Sequence, residues 1–80
     1  MNKKEAYNRV FIESFDLDEN KLNDKLEYNS IEAWDSIGHM QMIAELEDTF
    51  EIEFEMDDII NFSSYNKGIE LLVKYGIEIK

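Results

Sequence analysis

Trp34-Asp35-Ser36-Ile37-Gly38-His39-Met40-Gln41-Met42-Ile43-Ala44-Glu45-Leu46-Glu47-Asp48-Thr49-Phe50 is the stretch on which the reading of the fold turns. Met40, Ile43, Leu46 and Phe50 recur at helical spacing, while Gln41, Glu45 and Asp48 fall on the opposite face. This pattern predicts a helix over residues 36–50 with Met40, Ile43, Leu46 and Phe50 as its buried stripe. Asp35 suits the N-cap, because its carboxylate can accept an otherwise unpaired amide of the first turn.

Working outward, residues 3–15 form a second amphipathic pattern. Tyr7, Val10, Phe11 and Phe15 share one face, and Lys4, Glu5, Asn8, Arg9 and Glu13 point elsewhere. Residues 16–35 connect the two helices and are rich in Asn, Asp, Glu and Lys, with single apolar residues at Leu17, Leu22, Leu26, Ile31 and Trp34. A structureless loop of that length is unusual in a compact domain, so those apolar residues are expected to pin it, with one short helical turn. Residues 51–56 alternate charged and apolar side chains, a strand signal without a second strand to pair with. They read as an extended connector with Ile52, Phe54 and Met56 facing the core. A short helix over residues 57–62 follows, with Asp57 and Asp58 at its favourable end. The last helix, residues 64–75, is capped by Ser63 or Ser64, buries Ile69, Leu72 and Val73, and stops at Gly76. Gly68 inside it costs about 1 kcal/mol relative to Ala. The expectation is an all-α fold: one domain over residues 1–80, a small three-to-four-helix bundle with a long first connection.

Composition narrows the function. A chain of 80 residues buries only about 60–65% of its unfolded surface, so a deep catalytic cleft is not expected. There is no cysteine, which excludes disulfides and thiolate metal sites. No apolar run is long enough to cross a bilayer, and residues 1–5 lead into a charged stretch without a signal-peptide core, so the cytoplasm is the expected compartment. The net charge is -11, and no Lys or Arg lies between residues 25 and 67. A field of one sign repels nucleic acid and anionic lipid and attracts basic protein surfaces.

Ser36 directly follows the capping Asp35. A hydroxyl there projects where amides are free and the helix dipole is positive, which suits a phosphate ester. Asp-Ser opens many ordinary helices, so these two residues alone do not decide. The wider pattern adds to them. Asp35-Ser36-Ile37, then Leu46, Glu47 and Phe50, then Ile52-Glu53-Phe54, resembles the acyl carrier protein family. Its motif is Asp-Ser-Leu, followed by an acidic helix with a Leu-Glu-x-x-Phe-like end. The resemblance extends over nearly the whole chain. It implies that Ser36 receives 4′-phosphopantetheine from coenzyme A through a phosphopantetheinyl transferase, and that Asp35 assists by helping to bind magnesium during the transfer. It further implies an acyl thioester on the arm, no catalysis by the chain itself, and a monomer serving acyl-loading and acyl-transfer enzymes, as in fatty acid biosynthesis and related lipid metabolism. Missing cysteine is consistent with a sulfur that comes from the arm.

Ile37 replaces Leu conservatively, whereas Gly38, His39 and Gln41 leave the first turns of the helix without carboxylates. In this Trp34 and Gly38-His39-Met40 resemble carriers of specialised pathways more than housekeeping ones. Partner docking is expected on Glu45, Glu47, Asp48, Asp57 and Asp58 with exposed Ile37 and Met42. Met40 and Met42 could also adapt to an acyl chain between helices, although Met40 reads first as core. Peptidyl carriers are the nearest alternative, but they commonly place Gly-Gly before the serine, where this chain has Glu32-Ala33-Trp34. From other classes, a calcium loop over residues 16–27 has Asp16, Asp18, Asn20, Asp24 and Glu27 in ligand positions, yet Lys21 stands where Gly must turn. A purely acidic interaction module explains the charge and leaves Ser36 to chance. A Ser36–His39 hydrolase has no third member or oxyanion site.

Overall fold

A computed structural model describes residues 2–79. Met1 and Lys80, the ends of the expected domain, lie outside the described residues. Four α-helices follow one another: α1 (Lys3–Phe15), α2 (Ser36–Phe50), α3 (Met56–Asn61) and α4 (Tyr65–Lys74). The described residues contain no strand, and the fold is the all-α arrangement expected.

Helix ends explain these bounds. Asn2 caps α1 by accepting from the Glu5 amide, Asp35 caps α2, and Ser64 caps α4 by accepting from the Lys67 amide. At the far end of α4, Gly76 adopts φ 83°, while Ile77 N–H reaches Leu72 O and Gly76 N–H reaches Val73 O. This is the paired closure that a left-handed glycine permits. α1 and α2 end the same way on Asp16 (φ 53°) and Glu51 (φ 55°), with Leu17 bonded to Ile12 O and Ile52 to Glu47 O. Neither residue is glycine, although Asp tolerates this conformation better than Glu, so neither stop was announced by a glycine.

The core is aromatic. Tyr7, Phe11 and Phe15 of α1 meet Trp34, Phe54, Phe62 and Tyr65, all buried. Tyr7 donates to Tyr65 O at 2.7 Å, which ties α1 to the head of α4. Burial pushes the Tyr7 phenol well above its ordinary pKa, so this donor keeps its proton.

The long connection is pinned as its apolar residues predict. Leu26 and Trp34 are buried, Leu17, Leu22 and Ile31 pack beside them, and a 3-10 turn occupies Glu19–Lys21. Backbone bonds from Tyr28 to Ser63 O and from Tyr65 to Leu26 O fasten it to the α3–α4 junction. Trp34, and therefore the residues that start α2, are placed by this seam.

Several burial expectations change, Ile69 among them, which is half-buried. In α2 the buried face is Gly38, His39, Met42, Ile43 and Leu46, with Phe50 half-buried. Met42 is fully enclosed, so it offers nothing to a docking partner, and Met40, expected in the core, is 52% exposed. The stripe has rotated by part of a turn because Trp34 packs from the side of His39. Val73 is 57% exposed, since Leu72 alone takes the centre of that turn. Met56 is exposed as the first residue of α3, while Phe54 and half-buried Ile52 keep the inward face of the connector.

Candidate functional site

Ser36 is the first residue of α2 and is exposed. The geometry around it follows from the cap. Asp35 Oδ1 accepts the Gly38 amide at 2.8 Å, and Asp35 O accepts the His39 amide at 2.8 Å. A helix leaves its first amides without internal partners, so those of Ser36 and Ile37 remain directed past the helix end. The first turn of α2 itself carries no acidic side chain, so the capping Asp35 supplies the carboxylate at that positive end. These residues fit a phosphodiester on the Ser36 oxygen.

The turn bearing Ser36 is held by close backbone packing. A Cβ on Gly38 would lie 2.0 Å from Ala33 O and 3.3 Å from a ring carbon of Phe15. Only glycine allows the helix to start this near the connection.

Ser36 opens onto a groove of about 370 Å³ between the start of α2 and α3. Buried His39 and Phe62 form its floor. Exposed Met40, Met56 and Ile60 form its rim, together with Tyr28, which is 40% exposed. Ser63 also lines it. The groove is therefore mostly apolar, with one exposed hydroxyl from each of two helix ends.

His39 is buried. Trp34 Nε1–H donates to His39 Nδ1 at 2.9 Å, and His39 Nε2 lies 2.8 Å from Ile59 O. Both ring nitrogens are thus engaged away from Ser36, and His39 is not positioned as its base. The one sequence signal for its burial is its spacing, since residue 39 falls on the same helical repeat as Met42, Ile43 and Leu46.

The acidic residues divide. Glu45, Asp48 and Asp57 are exposed, as is Ile37 at 70%. Glu47 is half-buried, and its Oε2 accepts the Phe54 amide at 2.9 Å, holding the connector to α2. Asp58 departs from the surface role expected of it. It is buried, takes hydrogen bonds from Tyr75 Oη and from Lys74 Nζ at 3.0 Å, and so locks α3 to the end of α4. Sequence pattern placed it beside Asp57 at a helix start, but only the fold brings α4 against it. Outside residues 26–66 the eight acidic residues are matched by the eight Lys and Arg, so the whole net charge of -11 falls on this middle segment.

The hydrogen bond from Tyr75, then that from Lys74, holds the Asp58 carboxyl below its ordinary value of 3.8. A lowered folded value contributes stability above the unfolded pKa and loses it as pH falls through the folded one. The α3–α4 lock is therefore expected to hold through neutral and mildly acid solution and to release only below the ordinary aspartate range. Amide shifts of α3 followed against pH will show this step in the parent, and Asp58→Asn will abolish it.

Comparison with family models matches residues 13–72 to the phosphopantetheine attachment site family. The chain belongs to that family. The match covers three quarters of the sequence and contains α2, α3, the groove, most of α4 and only the last three residues of α1. Comparison with curated proteins and with solved structures returned no match. As a member, this carrier takes 4′-phosphopantetheine covalently. No helix of the described carrier residues is long and apolar enough to cross a membrane.

Proposed function

We propose that this chain is an acyl carrier protein whose arm is esterified to Ser36. The observation that carries the reading is an exposed serine at the head of α2, beside two unpaired amides and above an apolar groove. Asp35 keeps the turn open to the transferase by capping it from outside. The arm, when attached, supplies the thiol on which an acyl group travels as a thioester. The chain contributes attachment, orientation and recognition, and partner enzymes contribute catalysis. An apolar groove next to the arm favours acyl over aminoacyl cargo, whose charged amine would have to be desolvated there.

Docking is assigned to the exposed apolar side chains Ile37, Met40, Met56 and Ile60, flanked by Glu45, Asp48 and Asp57. Glu47 adds charge at the edge, and Asp58 is left out because it serves the α3–α4 lock. Such a surface meets a basic, partly apolar patch, and its charges act mainly on encounter rate. Joint charge reversal at Glu45 and Asp48 is expected to lower partner kcat/KM several-fold at low salt and much less at high salt. An equal effect at both ionic strengths contradicts the assignment. The carboxylate-free first turn, with Gly38, His39 and Gln41, supports service in a specialised pathway rather than housekeeping fatty acid synthesis.

Intact mass tests the attachment. Incubation with coenzyme A, magnesium and a broad-specificity phosphopantetheinyl transferase is expected to add one phosphopantetheine to the parent and to Ser63→Ala. Ser36→Ala is expected to gain nothing. Modification of Ser36→Ala would overturn the proposal.

A further inference from the structure

The imidazole of His39 makes two bonds whose chemistry fixes its form. An indole N–H can only donate, and a backbone carbonyl can only accept. His39 Nδ1 must therefore be a bare acceptor toward Trp34, and Nε2 must carry the proton given to Ile59 O. The ring is neutral, in a single tautomer, with its rotation fixed from both sides. It also lies stacked over the Trp34 ring, centroids 6.2 Å apart, and edge-on to Phe62 at 6.1 Å.

These bonds join three separate parts of the chain. Trp34 ends the long connection, His39 stands one turn beyond Ser36, and Ile59 lies in α3 with its side chain in the groove wall. α3 has only six residues and no side-chain cap at its start, so it has little stability of its own. Two side-chain attachments hold it: Asp58 to Tyr75 and Lys74 on one side, and Ile59 O to His39 on the other. The second is the one beside the groove that Ser36 lines.

We propose that His39 is a positioning residue that anchors the α3 wall of the groove to the turn bearing Ser36, so that the surface beside the arm keeps a fixed width. The inference rests on the carrier reading for its functional meaning. The anchor itself can be measured without an arm. A carrier whose groove wall is tied to its attachment turn presents one surface to each partner, which lowers the ordering required at docking.

Two conservative variants separate the two bonds. In His39→Asn the side-chain oxygen can take the place of Nδ1 and still accept from Trp34, but nothing reaches Ile59 O. In His39→Gln the amide nitrogen can take the place of Nε2 and donate to Ile59 O, while the indole loses its acceptor. Native-state amide exchange is measured on the unmodified protein at Ile59 and Ile60 of α3 and at Leu72 of α4. His39→Asn is expected to speed exchange in α3 relative to α4 by about tenfold, the scale of one lost hydrogen bond. His39→Gln is expected to return α3 to within about threefold of the parent. Trp34 is the sole tryptophan, so its single indole N–H resonance reports the other bond: it should move in His39→Gln and stay in His39→Asn. A general loss of stability would raise α3 and α4 exchange together. That result, or failure of His39→Gln to restore α3, would overturn the proposal. Mass gain with the transferase, run in parallel, reports on the carrier reading alone, because neither variant touches Ser36.

Discussion

Gly68→Ala is expected to destabilise the protein by about 1–3 kcal/mol, toward the upper end. Helix propensity alone predicts the reverse, a gain of about 1 kcal/mol for replacing a mid-helix glycine. Packing decides against it. A Cβ at this position would lie 2.1 Å from Phe62 Cζ and 2.2 Å from Tyr7 Oη. Neither neighbour is a free end that can swing away. Phe62 is buried among Phe11, Trp34 and Phe54, and Tyr7 is held by its bond to Tyr65 O. To admit the methyl, α4 must back away from α1 or Tyr7 must give up a buried hydrogen bond. Urea unfolding followed by circular dichroism checks this, and a midpoint equal to or above that of the parent would contradict the packing argument.

Trp34→Ala is expected to cost about 3–5 kcal/mol. A domain of this length has a total stability of about 4–12 kcal/mol, so the variant stands close to unfolding. Trp34 is fully enclosed and stacks on Phe15, with ring centroids 5.1 Å apart. It presents an edge to Phe11 and donates its indole proton to His39. Its removal opens a cavity under the start of α2 and leaves His39 Nδ1 without a donor. Trp34→Phe keeps part of the volume and is expected to lose less, about 1–3 kcal/mol, mainly through the orphaned imidazole. Thermal unfolding of both variants ranks them. If Trp34→Phe costs as much as Trp34→Ala, the hydrogen bond matters more than the packing described here.

Much of the fold was legible in local chemistry. Asp35 and Gly76 mark helix ends because capping is a matter of a few consecutive residues. The apolar residues of the long connection reported their own burial, because a solvated loop has no use for Leu26 and Trp34. What failed were directions that depend on distant neighbours. Met40 and Met42 are both apolar and flank the same stripe, and only the position of Trp34 and α3 decides which one is enclosed. Gly68 reads as a propensity defect until Phe62 and Tyr7 are brought against it. Asp57 and Asp58 are alike in sequence, yet α4 makes one a lock and leaves the other to solvent. At the proposed site, the cap marked where α2 begins, and it took the wider pattern from Asp35 to Phe54 to single out Ser36, since Asp-Ser opens many ordinary helices. The bonds of His39 could not be read, because both its partners lie outside its own helix.

Fragmentation of the modified protein by tandem mass spectrometry tests the central claim most directly. After treatment with transferase and coenzyme A, the pantetheine phosphate is expected on the peptide containing Ser36, and on that residue within it. Its appearance on Ser30, Ser63 or another hydroxyl, or the absence of any modified peptide under these conditions, would contradict the account.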